Sequence, residues 1–264
     1  MNQSSLDIET PNWARRIKLI QTDSTNSEAR RQLERGEAMP ELTLVDTDCQ
    51  TAGRGQQGNS WESEAGCNLS FSLVCHPNFL AASAQFVLSQ AIALAVRDAL
   101  AEEARGGDGA AFTVKWPNDI YYGDCKISGT LIECDLQGKG IMNCIIGTGV
   151  NVNQTRFRSD APNPVSLSQI TGRVHDREAL LCAIVQRFNE LYQRIRQGEA
   201  EEVRRLYAER LYRREGLYRY ADAKGEFSAR IAAVEPTGHL VLQLENNETR
   251  RYEFKEIRFL NYRF

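Results

Sequence analysis

The sequence has no excess of positive charge. Against 35 Asp and Glu stand 32 Lys and Arg, a net charge of −3, and no segment gathers enough basic side chains to coat a phosphate backbone. Nucleic acid is therefore not expected as a main partner. It also has no C-x-x-C pair. The seven cysteines (Cys49, Cys67, Cys75, Cys125, Cys134, Cys144 and Cys182) are odd in number and scattered, which argues against a disulfide framework or a zinc knuckle and for reduced thiols in the cytoplasm. No apolar run approaches bilayer-spanning length, and Met1 to Pro11 is polar and acidic without a signal-type apolar segment, so membrane contact is not expected. Internal repeats and low-complexity tracts are missing as well. What remains is 264 residues, 42% hydrophobic and 25% charged, enough to bury a core as one large domain or as one with a small companion.

The patterning alternates between the two regular periods. Ile17 to Ile20 is a short apolar patch. Thr25-Asn26-Ser27-Glu28 then reads as a capping box opening a helix that Gly36 ends. Strands are expected at Leu42 to Val45 and Asn68 to Cys75, and a long helix at Ala81 to Ala104, stopped by Gly106-Gly107. Phe112 to Trp116, Ile120 to Tyr122, Lys126 to Cys134 and Ile141 to Val152 read as consecutive strands of a meander. After a polar loop, Gln154 to Ser166, helices are expected at Arg177 to Arg196 and Ala200 to Arg213. Beyond Gly216 the pattern returns to short strands, with turns at Asp222 to Gly225, Pro236 to Gly238 and Asn246-Asn247 and a last strand at Tyr252 to Leu260. This is the pattern of a small β-barrel-like module. The expected division is 1–214 and 215–264.

Four segments carry residues suited to chemistry. Gly53-Arg54-Gly55-Gln56-Gln57-Gly58 satisfies G-x-G-x-x-G, but no helix opens at the third glycine and position 78 is Asn78, not an acid, so a dinucleotide fingerprint is excluded. The segment reads either as backbone N–H groups approaching an anion beside the fixed charge of Arg54 or as a flexible surface loop. Lys115-Trp116-Pro117-Asn118-Asp119 places a cation, an aromatic and a carboxylate at a strand end, and Lys126-Ile127-Ser128-Gly129 sets a lysine at the start of the next strand. Gly147-Thr148-Gly149-Val150-Asn151 puts two glycines in an apolar strand, where they mark a close approach or a bulge.

Together with Ser24-Thr25-Asn26 and Gln50 through Trp61, and in this order, these motifs resemble the biotin protein ligases, and the resemblance runs over essentially the whole chain. It implies an α/β (α+β) fold with a mixed or antiparallel central sheet and flanking helices, similar to class II synthetase and lipoate-ligase cores, followed by an SH3-like barrel. The implied reaction activates biotin with Mg-ATP as biotinyl-5′-AMP and transfers it to a lysine of a biotin carboxyl carrier protein. ATP, magnesium and biotin are the implied small molecules. Oligomeric state varies in such proteins, a homodimer included.

By position in the matched motifs, Ser24, Thr25, Gln50, Gly53, Arg54, Lys126, Gly129, Gly147 and Gly149 would line the biotin site. Arg54, Gly55, Gln56, Gly58, Trp61, Asn118, Lys126 and Asn151 would serve the adenylate, and Arg54, Lys115, Asp119 and Lys126 would surround the reacting centre. The resemblance does not identify the metal ligands, and Asp119 is implied either to orient the acceptor amine or to take part in positioning the metal or a lysine. Gln56 and Gln57 depart from the G-R-G-R-R-G of many bacterial members and remove two charges. Few residues precede the first strand, so the winged-helix domain of repressor-type members, and DNA binding with it, is not expected. The alternatives are a lipoate or octanoate ligase of the same superfamily and a non-catalytic biotin-binding regulator.

Overall fold

The computed structural model describes residues 13–55, 59–104, 109–158 and 163–260. It begins with strand β1 (Arg15–Thr22), helix α1 (Thr25–Glu34) and strand β2 (Thr43–Gln50). β1 and β2 run parallel, from Arg15 opposite Thr43 to Thr22 opposite Gln50, and a helical crossover is what parallel pairing requires. β3 (Leu69–Cys75) follows, then α2 (Phe86–Glu103), β4 (Phe112–Lys115), β5 (Asp119–Tyr122), β6 (Cys125–Gln137) and β7 (Gly140–Val150). The sheet order is β1-β2-β3-β7-β6-β5-β4, antiparallel except for its first pair. The central sheet is thus mixed, and the meander expected from the sequence is β4 to β7.

Every residue of β3 is buried, because both faces of the sheet are covered. Phe71, Leu73 and Cys75 join the main core with α2 and α4 (Arg177–Arg196), while Val74 meets Ala29 of α1, Val45 and Ile145 on the other face. α2 is buried without interruption from Val87 to Val96, as befits a helix that is apolar all round and enclosed on every side. By length and composition Ala82–Glu103 would suffice to cross a bilayer, against the sequence expectation, but two thirds of that stretch lies inside the core.

Several boundaries differ from those read in the sequence. α2 starts at Phe86 after a single 3-10 turn at Ala82–Ala84, and the Gly106-Gly107 stop lies outside the described residues. α5 (Ala200–Glu209) ends before Arg213, because the next residues serve the sheet: Val114 N donates to Arg210 O and Tyr212 N to Val114 O. A short helix, α3 (Leu167–Thr171), was not expected, although Ser166 and Gln169 form a capping box there. The box expected at Thr25 to Glu28 does not form. Ser24 is the cap and makes no side-chain cap bond, while the next two side chains turn inward.

The remaining strands are β8 (Tyr218–Asp222), β9 (Gly225–Val234), β10 (Leu240–Leu244), β11 (Thr249–Tyr252) and β12 (Arg258–Phe259). They form a separate antiparallel sheet in the order β11-β10-β9-β8-β12. The single last strand expected at Tyr252 to Leu260 is split by a turn in which Glu256 N donates to Glu253 O and Lys255 takes φ +75. The second sheet is fastened to the first unit by Trp116, whose Nε1 donates to Gly238 O at 2.9 Å. Phe86 packs where a side chain at Gly238 would stand, its Cδ2 2.7 Å from an ideal Cβ.

Candidate active site

The C-terminal half of β7, the start of β6 and the N-terminus of α1 enclose a cavity of 140 Å³. Its wall is bare backbone, and other side chains lie across it. A Cβ on Gly147 would collide with Asn26, whose Cγ is 2.7 Å away, and a Cβ on Gly149 would collide with the Trp61 indole, with Cζ2 at 2.7 Å. On β6 the Lys126 side chain crosses Gly129, its Cε and Nζ each 3.1 Å from the ideal Cβ. The glycines of this strand pair therefore mark close approaches and not bulges, the alternative left open by the sequence.

The loop carrying Arg54 is pinned at its base. Gly55 N donates to Asn59 O at 2.6 Å and Trp61 N to Gly53 O at 2.9 Å, and Gly53 cannot carry a side chain because Trp61 O lies 2.5 Å from its ideal Cβ. Gln56 and Gly58, expected on the adenylate side, and Gln57 lie outside the described residues. Arg54 reaches over the cavity to Glu133, Nη2 to Oε2 at 2.9 Å. The same carboxylate oxygen accepts from Asn26 Nδ2 at 2.8 Å. Asn26 Oδ1 in turn accepts from Ser72 Oγ at 2.7 Å, and Gln50 Oε1 accepts from Thr25 N at 2.9 Å. Opposite these neutral groups stands an ion pair, Lys126 Nζ to Asp119 Oδ2 at 2.7 Å. Trp61 Nε1 is buried with no hydrogen-bond partner among the described residues. The cavity thus offers neutral donors and acceptors around Asn26, with Arg54 beside them on Glu133 and Lys126 on Asp119.

Ser24, Thr25, Gln50, Arg54, Gly55, Trp61, Asp119, Lys126, Gly129, Gly147 and Gly149 all line this cavity. Trp61, expected with the nucleotide, sits on Gly149 beside the residues expected around biotin. Asn118 faces a second cavity, of 530 Å³, between α2 and the second sheet. There its Nδ2 donates to Ser89 Oγ at 2.9 Å, and the two cavities adjoin at Leu131 and Phe254. Asn151 is not brought to either. It is buried and its Nδ2 donates to Val165 O at 3.2 Å, holding the segment before α3. Lys115 is also turned away: its Nζ donates to Tyr121 Oη at 3.0 Å and lies over the Tyr121 and Phe259 rings. Burial holds that ammonium below the usual lysine range, Asp119 acting the other way.

Glu133 was not singled out from the sequence, and Asn26, though part of the matched Ser24-Thr25-Asn26 motif, was given no place in the site. The alternation of β6 carries the signal for the former, since Gly129, Leu131 and Glu133 share one face. The loop after β7 is joined to the segment after Trp61 by Glu62, whose carboxylate accepts from Gln154 Nε2 and Arg158 N.

A family model described as the biotin/lipoate A/B protein ligase family matches residues 18–151, half of the chain and all of the cavity wall except Phe254. The chain belongs to this family. Among relatives, the biotin–[acetyl-CoA-carboxylase] ligase of Paracoccus denitrificans is 35% identical over 175 residues, covering 64% of this chain and 70% of that protein. The bifunctional ligase/repressor BirA of Bacillus subtilis is 32% identical over 215 residues, covering 79% of this chain and 63% of the relative. The same-named protein of Bacillus spizizenii is 34% identical over 159 residues, 58% of this chain and 46% of the relative. The chain thus spans about half to under two thirds of the length of these bifunctional relatives. Among solved structures, the biotin protein ligase of Aquifex aeolicus in complex with biotin and ATP superposes with a TM-score of 0.75 at 25% identity, over 94% of this chain and 100% of that one. The ligase of Leishmania major in complex with biotinyl-5-AMP gives 0.64 at 25% identity, over 91% and 99%. Within this ligase family, glycine-floored strands carrying one lysine and facing one arginine loop are what the present chain contributes to the cavity.

Proposed function

We propose that the chain is a biotin–protein ligase that activates biotin with ATP and transfers the biotinyl group to a lysine of a biotin carboxyl carrier protein. The observation that carries this reading is the composition of the glycine-floored cavity, whose wall combines the neutral groups of Ser24, Thr25, Asn26 and Gln50 with the cations of Lys126 and Arg54. A neutral, hydrogen-bonding ring system that also carries a carboxylate matches that combination of groups. The ureido ring would exchange hydrogen bonds with the neutral group, and the unpaired Trp61 N–H supplies a further donor. The adjoining cavity beside Asn118 would take the nucleotide, which places the α-phosphate near the junction at Leu131 and Phe254.

In the first step a biotin carboxylate oxygen attacks the α-phosphorus and pyrophosphate leaves. Charge grows on the α-phosphoryl oxygens, and Lys126 is the cation that can meet it without reorganising, because Asp119 already fixes its Nζ. Arg54 must exchange Glu133 for the phosphate to do the same. In the second step the neutral acceptor amine, with Asp119 as the carboxylate at hand to orient its N–H groups, attacks the acyl carbon, AMP leaves, and the proton shed by the amine passes to solvent. Among the described residues no group of three or more His, Cys, Asp or Glu could hold a metal. Magnesium would enter with ATP, held by the oxygens of its phosphates.

The test is transfer. Full-length protein with Mg-ATP, biotin and an isolated biotin carboxyl carrier domain should raise the mass of that domain by one biotinyl group on a single lysine. Transfer of lipoate in place of biotin, or ligand binding without any transfer, would replace this reading with one of the two alternatives.

A further inference from the structure

Behind the pocket, three cysteines from three strands stand in one row. Cys144 of β7 is directly opposite Cys75 of β3 on one side and Cys134 of β6 on the other. Their numbers in the chain give no hint of this; only the register brings them together. All three point to the α2 and α4 side of the sheet, where Cys75 and Cys144 belong to the main core and Cys134 packs against it. The Cys134 and Cys144 sulfurs are 3.1 Å apart. Cys144 and Cys75 are buried, whereas Cys134 is partly exposed.

We propose that Cys134 and Cys144 are a reversible thiol–disulfide site, with Cys134 the sulfur that meets the oxidant and Cys144 the one that resolves it. Directly opposed residues of an antiparallel pair have Cα atoms about 4.5–5.5 Å apart, inside the range of about 4.4–6.8 Å that a disulfide spans, so the bond needs no separation of the strands. The Cys144 thiol facing Cys134 holds it below the usual thiol range, against the effect of burial, which favours the nucleophilic thiolate. The oxidant is a hydroperoxide. The Cys134 thiolate attacks its outer oxygen, giving a sulfenic acid while the leaving alkoxide or hydroxide takes up the thiol proton. The Cys144 sulfur then attacks the Cys134 sulfur, the S–S bond forms, and the expelled hydroxide leaves as water with the Cys144 proton. Two thiols are oxidised by two electrons and one peroxide is reduced.

The site is wired to the pocket by one peptide bond. Glu133 precedes Cys134 and points to the other face, where it holds both Asn26 and Arg54. Closing the two sulfurs from 3.1 Å to bonding distance would pull on β6 beside the residue on which both pocket groups depend.

The experiment oxidises the reduced full-length protein with a small molar excess of hydrogen peroxide, counts free thiols after denaturation, and maps the linked peptides by mass. The expected result is loss of two of the seven thiols, a Cys134–Cys144 linked peptide, and recovery of all seven with dithiothreitol. Cys134→Ser and Cys144→Ser should give no linked peptide, while Cys75→Ser should still give it. Seven thiols surviving, a linkage through Cys75, or irreversible over-oxidation without linkage would overturn the proposal. A second readout rests on the function proposed above: the oxidised protein should bind biotin several-fold more weakly, with affinity restored on reduction. An unchanged affinity in linked protein overturns the coupling, whereas absence of biotin binding in the reduced protein speaks against the proposed function and leaves the thiol count to decide the site.

Discussion

Asn26 stands where a side chain at position 147 would have to be: its amide lies on the bare backbone of β7, within 2.7 Å of an ideal Cβ at Gly147. That placement is also what lets Asn26 reach Ser72 on β3 and Glu133 on β6, so one absent methyl group allows α1 to close over the sheet.

Gly147→Ala should therefore cost about 1–3 kcal/mol, as overpacking of a close-packed site does, and should weaken biotin binding by displacing Asn26. Urea unfolding and calorimetric titration check both. Gly140→Ala, on the same strand but with only Gln137 O at 3.7 Å, should leave biotin affinity unchanged.

Glu133→Gln separates positioning from stability. The Arg54–Glu133 pair is solvent-accessible, so it is worth about 1 kcal/mol or less to the fold. Losing the shared carboxylate should nevertheless raise the KM for biotin by several-fold with a smaller change in kcat, because Asn26 and Arg54 lose their common anchor. Equal KM values in the two proteins would show that Glu133 is a bystander.

Lys115→Met should leave biotin affinity within about twofold of wild type, since the ammonium is engaged with Tyr121 and Phe259 and not with the cavity. Thermal stability should fall, because the cation over Phe259 helps fasten β12. The sign of the pH dependence follows from the depressed lysine pKa. Between its folded value and the unfolded value of about 10.4 the unfolded chain binds more protons, so wild-type stability rises with pH there relative to the variant. A large loss of biotin affinity would instead return Lys115 to the site.

Acid should loosen the N-terminal part first. A hydrogen bond from Arg16 lowers the Glu178 carboxyl and one from Gln32 lowers Glu28, while Arg31 holds Asp23 well below the carboxylate range. At Asp135 burial acts upward, but Arg30 and Asn143 outweigh it. Each folded pKa lies below its unfolded value, so this stabilisation is complete above about pH 5 and is lost as pH falls below about 4. Solvent screening keeps each contribution under about 1 kcal/mol. Urea midpoints should be flat from pH 7 to 5 and fall steadily from 5 to 3; a flat profile to pH 3 would contradict the assignment.

The sequence reading reached most of the site because its motifs sit at strand ends, where local patterning is strong: Lys126, Gly129, Gly147 and Gly149 are all within one strand pair. It did not reach relations made by register. The Cys75–Cys144–Cys134 row depends on the antiparallel alignment of β3, β7 and β6, and Glu133 meets Arg54 across 79 positions of sequence, from the loop that follows β2. Helix ends erred for a physical reason as well. Helical propensity continues to Arg213, but Val114 on the sheet edge takes the backbone of Arg210 and Tyr212. The capping residues at Thr25 to Glu28 have the right spacing, yet Thr25 and Asn26 make stronger use of their polar groups inside the cavity.

The measurement that bears most directly on the proposed activity is biotin-dependent exchange of labelled pyrophosphate into ATP, run on wild type and on Lys126→Ala side by side. Wild type should exchange with biotin and not with lipoate. Lys126→Ala should keep its fold, since the side chain is solvent-accessible, and lose about 10²–10³-fold in rate, as removal of a group aimed at developing transition-state charge does. Full exchange by a folded Lys126→Ala protein, or exchange by wild type with lipoate alone, would contradict the account.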